Sequence, residues 1–201
     1  MRVMRKVAVC IFFLVAPLLA QDRIATDARP IAVASPVFQA SAGYVYLDLD
    51  NPSLQHVSLN GVDGNGFVDF SPRWGMMADL SYARTGNVLG TGHSGTVLSG
   101  LIGPVFYPAE YRNARIFVHA LAGVSLVDSA VPLTGTSYVS GPVAKFSFAL
   151  GGGVERNLSG PLAIRVGGDY LRTTFANSHV ALQSQNNLRI VTSLVYRFGS
   201  R

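Results

Sequence analysis

Apolar and polar residues alternate with a period of two along most of the chain beyond its first 40 residues. Alternation of this kind is typical of β-strands, whose successive side chains point to opposite faces, and helical spacing is weak throughout. Residues 188–198 give the clearest case. One face carries Leu188, Ile190, Thr192, Leu194, Tyr196 and Phe198, and the other carries Arg189, Val191, Ser193, Val195 and Arg197. The pattern therefore predicts an all-β chain.

Eight such segments are predicted, longer than the strands of most soluble proteins. They cover residues 40–49, 57–70, 74–85, 95–107, 114–127, 143–155, 161–172 and 187–198. The faces of the fourth segment stay unassigned, because both are apolar and Pro104 interrupts it. Short connections alternate with long polar ones. The short ones are 71–73, 108–113 and 156–160, and the long ones are 50–56, 86–94, 128–142 and 173–186. An even strand number with alternating turn lengths is typical of an antiparallel, up-and-down transmembrane β-barrel.

The composition of the polar faces favours a narrow lumen over a water-exposed surface. Charged residues make up 13% of the chain, about half the usual share. Beyond residue 20, Lys145 is the only lysine, whereas soluble surfaces are dense in lysine and glutamate. Eight strands leave room for small side chains and a limited set of paired charges. The predicted lumen charge network is Asp79, Lys145, Glu155, Arg165, Asp169, Arg189 and Arg197.

Aromatic residues lie near the ends of the predicted strands, where membrane barrels place belts at the two lipid–water interfaces. Trp74, Tyr196 and Phe198 are assigned to the belt at the short-turn end, and Tyr82 and Tyr170 to the belt towards the long loops. Phe70, Phe106 and Tyr107 are expected to join the first belt.

The first 20 residues have the build of a cleaved signal peptide: a basic start, an apolar run and a small residue, Ala20. Residues 21–39 are predicted to be a flexible lead-in, 40–198 the barrel and 199–201 a short tail. The net charge of +5 owes three of its basic residues to the leader, and no basic run follows, so no nucleic-acid partner is expected. Cys10 would leave with the leader, which excludes disulfides and cysteine-based metal sites.

The closing segment Asn186–Phe198, with its alternation and its aromatics Tyr196 and Phe198, carries a resemblance to a known family. Over residues 40–198 the chain resembles the small eight-stranded outer-membrane barrels of the OmpA/OmpX type. The resemblance implies a monomer in the outer membrane of a Gram-negative bacterium, in contact with outer-membrane lipid and lipopolysaccharide. It also implies periplasmic termini, extracellular long loops, and assembly by the barrel-assembly machinery with periplasmic chaperones.

No catalytic, cofactor or metal site is predicted. Residues 63–70 resemble the middle of a calcium-binding EF-hand loop, but Gly61 and Pro72 occupy two ligand positions that need carboxylates. The four histidines are scattered, and three of them (His56, His93 and His179) fall in predicted loops. We expect a non-catalytic barrel with a structural or loop-mediated role. Two alternatives remain: a lipid A-modifying enzyme, and a soluble lipocalin-like binder whose apolar faces would point inward.

Overall fold

A computed structural model describes residues 37–50, 56–88, 92–129, 131–132, 138–139, 142–175 and 183–198. The predicted signal peptide, the tail 199–201 and residues 21–36 of the predicted lead-in lie outside the described residues. Eight strands form a closed barrel: β1 (Val37–Asp50), β2 (His56–Asp69), β3 (Trp74–Thr85), β4 (Gly95–Glu110), β5 (Ala114–Ser129), β8 (Pro142–Ser159), β9 (Leu162–Phe175) and β10 (Gln183–Phe198). A separate two-stranded ribbon joins β6 (Val131–Pro132) to β7 (Tyr138–Val139).

Each barrel strand pairs antiparallel with its neighbour along the chain, and β1 pairs with β10 to close the sheet. The predicted eight-stranded, antiparallel, up-and-down barrel is therefore confirmed. Strand β1 begins at Val37, three residues before the predicted start, because Gln39 still continues the inward alternation and is buried. No helix among the described ranges is long and apolar enough to cross a membrane.

The three short turns lie at one end of the barrel, together with the first and last described residues. They span residues 70–73, 111–113 and 160–161, and Phe38 pairs with Phe198 at the same end. In the first turn the backbone N–H of Trp74 donates to Ser71 Oγ at 2.9 Å, and in the third Gly160 adopts a φ of 54°, which favours glycine. We call this the short-turn end and the opposite one the long-loop end.

Strand β4, whose faces the sequence left unassigned, alternates regularly. Val97, Leu101 and Val105 point into the lumen, whereas Leu98 and Ile102 are exposed on the outside. Both faces are apolar because the lumen also holds an apolar cluster, built from residues such as Leu59, Phe67 and Leu121. Pro104 lies on the outer face, and the pairing of β4 with β5 shifts register only between Phe106 and Ala109.

Candidate functional site: an apolar outer surface around a charged lumen

Large apolar side chains cover the outside of the barrel. Leu80 on β3 is 60% exposed, Phe146 on β8 64% and Val166 on β9 49%. Between the two rims, no outward-facing residue of the described strands carries a charge. On β3 the uncharged outer stretch runs from Trp74 to Tyr82, with exposed Arg84 beyond it. Nine residues per strand is the length that crosses a bilayer in a tilted β-barrel. A soluble lipocalin-like barrel would instead carry polar and charged side chains on its outer surface.

Aromatic side chains form a belt at the short-turn end. Trp74 packs against Phe106 and Tyr196 against Phe198, each pair with ring centroids 4.8 Å apart. Phe38 and Phe70 are exposed at the same end. The predicted belt residues Trp74, Tyr196 and Phe198 therefore lie on the outer surface there. Tyr107 does not: only 2% of it is exposed, because the odd-numbered residues of β4 face the lumen. Its assignment to the belt was wrong.

Tyrosines line the outer surface towards the long-loop end. Tyr82 and Tyr170 both lie there and are exposed. The hydroxyl of Tyr170 donates to Asn186 Oδ1, and that of Tyr44 donates to Asn60 Oδ1. Tyr44 and Tyr170 thus combine an apolar ring with a polar tip bonded to a residue nearer the rim, as suits a lipid–water interface.

Glu155 is the centre of an ion-pair cluster in the short-turn half of the lumen. Its buried carboxylate accepts hydrogen bonds from three arginines on three different strands: Arg115 Nε at 3.0 Å, Arg165 Nε at 2.9 Å, and Arg197 Nη2. The Arg165 guanidinium also stacks on the ring of Phe67, 3.8 Å from its centroid. Burial of these charges is tolerated because both carboxylate oxygens are hydrogen-bonded.

Arg115 extends this cluster across the lumen. Its Nη1 donates to Asp69 Oδ2 at 3.0 Å and its Nη2 to Gln39 Oε1 at 2.9 Å. The Tyr107 hydroxyl donates to the other Asp69 oxygen at 2.9 Å. These bonds connect β1, β2, β4, β5 and β8 through one guanidinium and one carboxylate.

Arg189 organises the long-loop half of the lumen. It is 1% exposed and donates to two carboxylates, with Nη1 2.6 Å from Asp79 Oδ1 and Nε 2.7 Å from Asp169 Oδ2. Asp79 lies on β3 and Arg189 on β10, so the arginine reaches across two intervening strands. Asp63 lies beside Asp79 on β2 and accepts a hydrogen bond from Asn65 Nδ2.

His119 reaches the same group of residues. Its Nε2 lies 2.8 Å from Asp169 Oδ1, although β8 separates their two strands. Gly151 occupies the intervening position on β8, and a Cβ built there would lie 2.0 Å from that carboxylate oxygen. The absence of a side chain at Gly151 is thus what leaves room for the contact.

Six of the seven predicted lumen charges take part in these clusters. Lys145 is the exception: it lies on the inward face of β8 near the long-loop end, and no carboxylate pairs with it within the part of the chain that the structure describes. The clusters also contain lumen residues outside the predicted charge network, among them Gln39, Asp63, Asp69, Arg115 and His119. Their inward positions follow from strand parity, but the sequence pattern of residues 63–70 resembles a calcium loop, and the faces of the segments that contain Gln39, Arg115 and His119 are not assigned from the sequence.

The stretch resembling a calcium loop is part of a regular strand. Asp63, Asn65, Phe67 and Asp69 occupy alternate positions of β2 and are all buried in the lumen. Asp63 belongs to the Arg189 group and Asp69 to the Arg115 group, so the four do not surround one point. Within the described ranges no three histidine, cysteine, aspartate or glutamate side chains are grouped to hold a metal.

An eight-stranded antiparallel barrel with a charged lumen, an apolar exterior and aromatic belts is the architecture of a small outer-membrane β-barrel protein. Solved structures of this class share the fold. Ail of Yersinia pestis superposes with a TM-score of 0.59 at 19% identity, over 82% of this chain and all of Ail. Neisserial surface protein A superposes with a TM-score of 0.58 at 11% identity, over 82% of this chain and 98% of that protein. OprG of Pseudomonas aeruginosa superposes with a TM-score of 0.54 at 11% identity, over 83% of this chain and 97% of OprG.

No protein-family model matches the chain, and no curated protein sequence matches it. The similarity is therefore one of fold.

Proposed function

We propose that this chain is a monomeric, non-catalytic integral protein of the Gram-negative outer membrane, with a structural role or a role in binding through its long loops. The observation that carries the proposal is the charge-free outer surface bounded by aromatic belts. In water this surface would be a continuous apolar patch far larger than those that soluble monomers expose, whereas lipid acyl chains solvate it. Its contacts in place would be outer-membrane lipid and lipopolysaccharide.

The proposed orientation places the termini and short turns in the periplasm and the long loops outside the cell. This is the arrangement in which outer-membrane barrels keep short periplasmic turns and long extracellular loops. The terminal aromatics Tyr196 and Phe198 would then be available to the barrel-assembly machinery once periplasmic chaperones deliver the chain.

Fractionation tests the membrane proposal. We expect the protein to stay in the outer-membrane pellet after carbonate extraction, and to migrate differently on a gel with and without boiling because the closed barrel resists detergent. Release into the soluble periplasmic fraction would contradict it. Light scattering in detergent would test the monomeric state through the protein mass of the particle.

We further propose that the lumen is closed to solutes. Arg115 and Arg189 each cross the interior, and their guanidiniums bind carboxylates on both sides. Among the described lumen residues, five carboxylates (Asp63, Asp69, Asp79, Glu155 and Asp169) face five cationic side chains (Lys145, Arg115, Arg165, Arg189 and Arg197), so their formal charges balance and do not draw ions in. Reconstitution into planar bilayers should give no steady conductance, and a stable open channel in the native protein would overturn closure.

Absence of catalysis is the remaining part of the proposal. His119 and Asp169 form the one histidine–carboxylate contact described in the lumen, and it lies in the closed interior, away from lipid. We expect lipid A acylation to be unchanged when the gene is deleted. An altered acyl pattern that plasmid expression restores would instead identify a lipid A-modifying enzyme.

A further inference from the structure

Three arginines form a positively charged rim around the short-turn end. Arg73 lies in the β2–β3 turn, Arg112 in the β4–β5 turn, and Arg156 near the end of β8. All three are exposed, and none of them forms an ion pair with a carboxylate in the described part of the chain. Glu110 is the single exposed acidic residue described at this end.

The opposite rim differs in charge. Its exposed or half-buried charged residues in the described ranges are Arg84 and Arg172 together with Asp48 and Asp128, and His56 lies 3.4 Å from Asp48. Acidic and basic residues balance there, whereas the short-turn rim has a clear excess of positive charge.

The arginine rim adjoins the aromatic belt at the short-turn end. Arg73 immediately precedes Trp74. On β8, Arg156 is the outward-facing residue that follows Val154, four residues before the turn at Gly160. The backbone N–H of Asn157 donates to the carbonyl of Asn113 at 2.8 Å, which ties the turn of Arg112 to the strand end of Arg156.

We propose that this rim binds the phosphate headgroups of anionic glycerophospholipids in the leaflet that surrounds the short-turn end. The inference rests on the proposed membrane position. Guanidinium groups form bidentate hydrogen bonds with phosphate, and a basic side chain at an anionic membrane surface favours binding through the surface potential. The belt directly above the rim holds the acyl chains of the same lipid, so one molecule contacts both features.

Trp74 provides a native probe for the test, because it is the only tryptophan of the chain and lies beside Arg73. The full-length barrel is reconstituted into phosphatidylcholine vesicles that contain the same mole fraction of either brominated phosphatidylglycerol or brominated phosphatidylcholine. Bromine quenches tryptophan fluorescence on contact, so the quenching ratio reports which lipid collects at this rim.

We expect brominated phosphatidylglycerol to quench Trp74 with an apparent association constant about fivefold higher than brominated phosphatidylcholine, the effect of roughly one basic residue at a membrane surface. The preference should disappear in the variant Arg73→Gln/Arg112→Gln/Arg156→Gln and in about 1 M salt, where the Debye length is about 3 Å. It should persist in Arg84→Gln/Arg172→Gln, which removes the arginines of the other rim.

Equal quenching by the two lipids in the native protein would overturn the inference and leave the membrane position intact. A preference that survives the triple substitution would also overturn it. Absence of quenching by both lipids would overturn the membrane position itself, since Trp74 would then contact no acyl chain.

Discussion

At the scale of single residues, the lumen depends on the space that small residues leave as much as on the charges that other residues supply. Gly151 lies between His119 and Asp169, and Glu155 is shared by three arginines. Both positions face the lumen on β8, four residues apart, and any larger or neutral replacement acts on a network rather than on one pair.

Gly151→Ala should destabilise the folded barrel by about 1–3 kcal/mol, the usual effect of overpacking. The new Cβ would lie 2.0 Å from Asp169 Oδ1 and 2.5 Å from the carbonyl oxygen of Gly168, so the carboxylate and the adjoining strand both have to shift. Urea unfolding in lipid vesicles measures the change. Gly100→Ala is the matched control, because its Cβ would meet nothing within 4 Å on the outer face. Equal stability of the two variants would refute the spacer role.

Glu155→Gln should destabilise the barrel by about 3–5 kcal/mol, because it leaves buried guanidiniums without their shared counter-charge. The glutamate is 0% exposed, so water cannot replace the lost charge. The same unfolding measurement applies. Asp128→Asn at the exposed rim is the control, because it also replaces a carboxylate by an amide. A loss no larger than that of the control would show that Glu155 does not hold the cluster together.

At the scale of the element, each barrel strand has one face towards lipid and the other towards the lumen. Strand β9 illustrates this: Val166 is 49% exposed on the outside, whereas its neighbour Arg165 is 4% exposed in the lumen. A shift of one residue in register would place Arg165 and Asp169 in lipid and aliphatic residues such as Val166 in the lumen.

Val166→Arg tests this separation at the centre of the uncharged stretch Leu162–Tyr170. We expect a loss of about 2–4 kcal/mol in folding stability, as for arginine at a bilayer midplane. Leu158→Arg, exposed next to the short turn, should cost no more than about 1 kcal/mol because its guanidinium reaches the headgroups. Refolding into vesicles followed by urea titration distinguishes them. Equal tolerance would contradict the assignment of the outer face.

The strands and their order were predictable because alternation is local information, which also divides segments such as 188–198 into two faces. The fourth could not, since Val97 and Leu98 are equally apolar although one packs in the lumen and the other faces outward. The charge network was only partly predictable from the sequence. Asp169 could be assigned to a face, but its contact with His119 depends on the space at Gly151, which no alternation reveals.

At the scale of the whole molecule, the uncharged outer surface has a definite height. Nine residues such as Trp74–Tyr82 span about 31 Å of strand, or about 24 Å across the membrane at a tilt of about 40°. This is thinner than the average hydrocarbon core of about 30 Å.

Folding stability should therefore be highest in vesicles whose hydrocarbon thickness is close to about 24 Å, and lower in thicker bilayers that the outer surface cannot match. Urea unfolding across a series of saturated phosphatidylcholines of increasing chain length measures this. A continuous rise in stability towards the thickest bilayers would show that the lipid-facing height has been underestimated.

The bonds of Arg189 also determine when the lumen can form. Its partner Asp79 lies 110 residues earlier in the chain, and the two meet only because β10 has paired with β1 and so come within reach of β3. Until that last pairing, the carboxylates and guanidiniums of the interior have incomplete partners, and an open sheet would present them to hydrocarbon. Closing the ring and neutralising its interior are thus one event in time. We therefore expect the barrel to have no stable half-built form in the membrane.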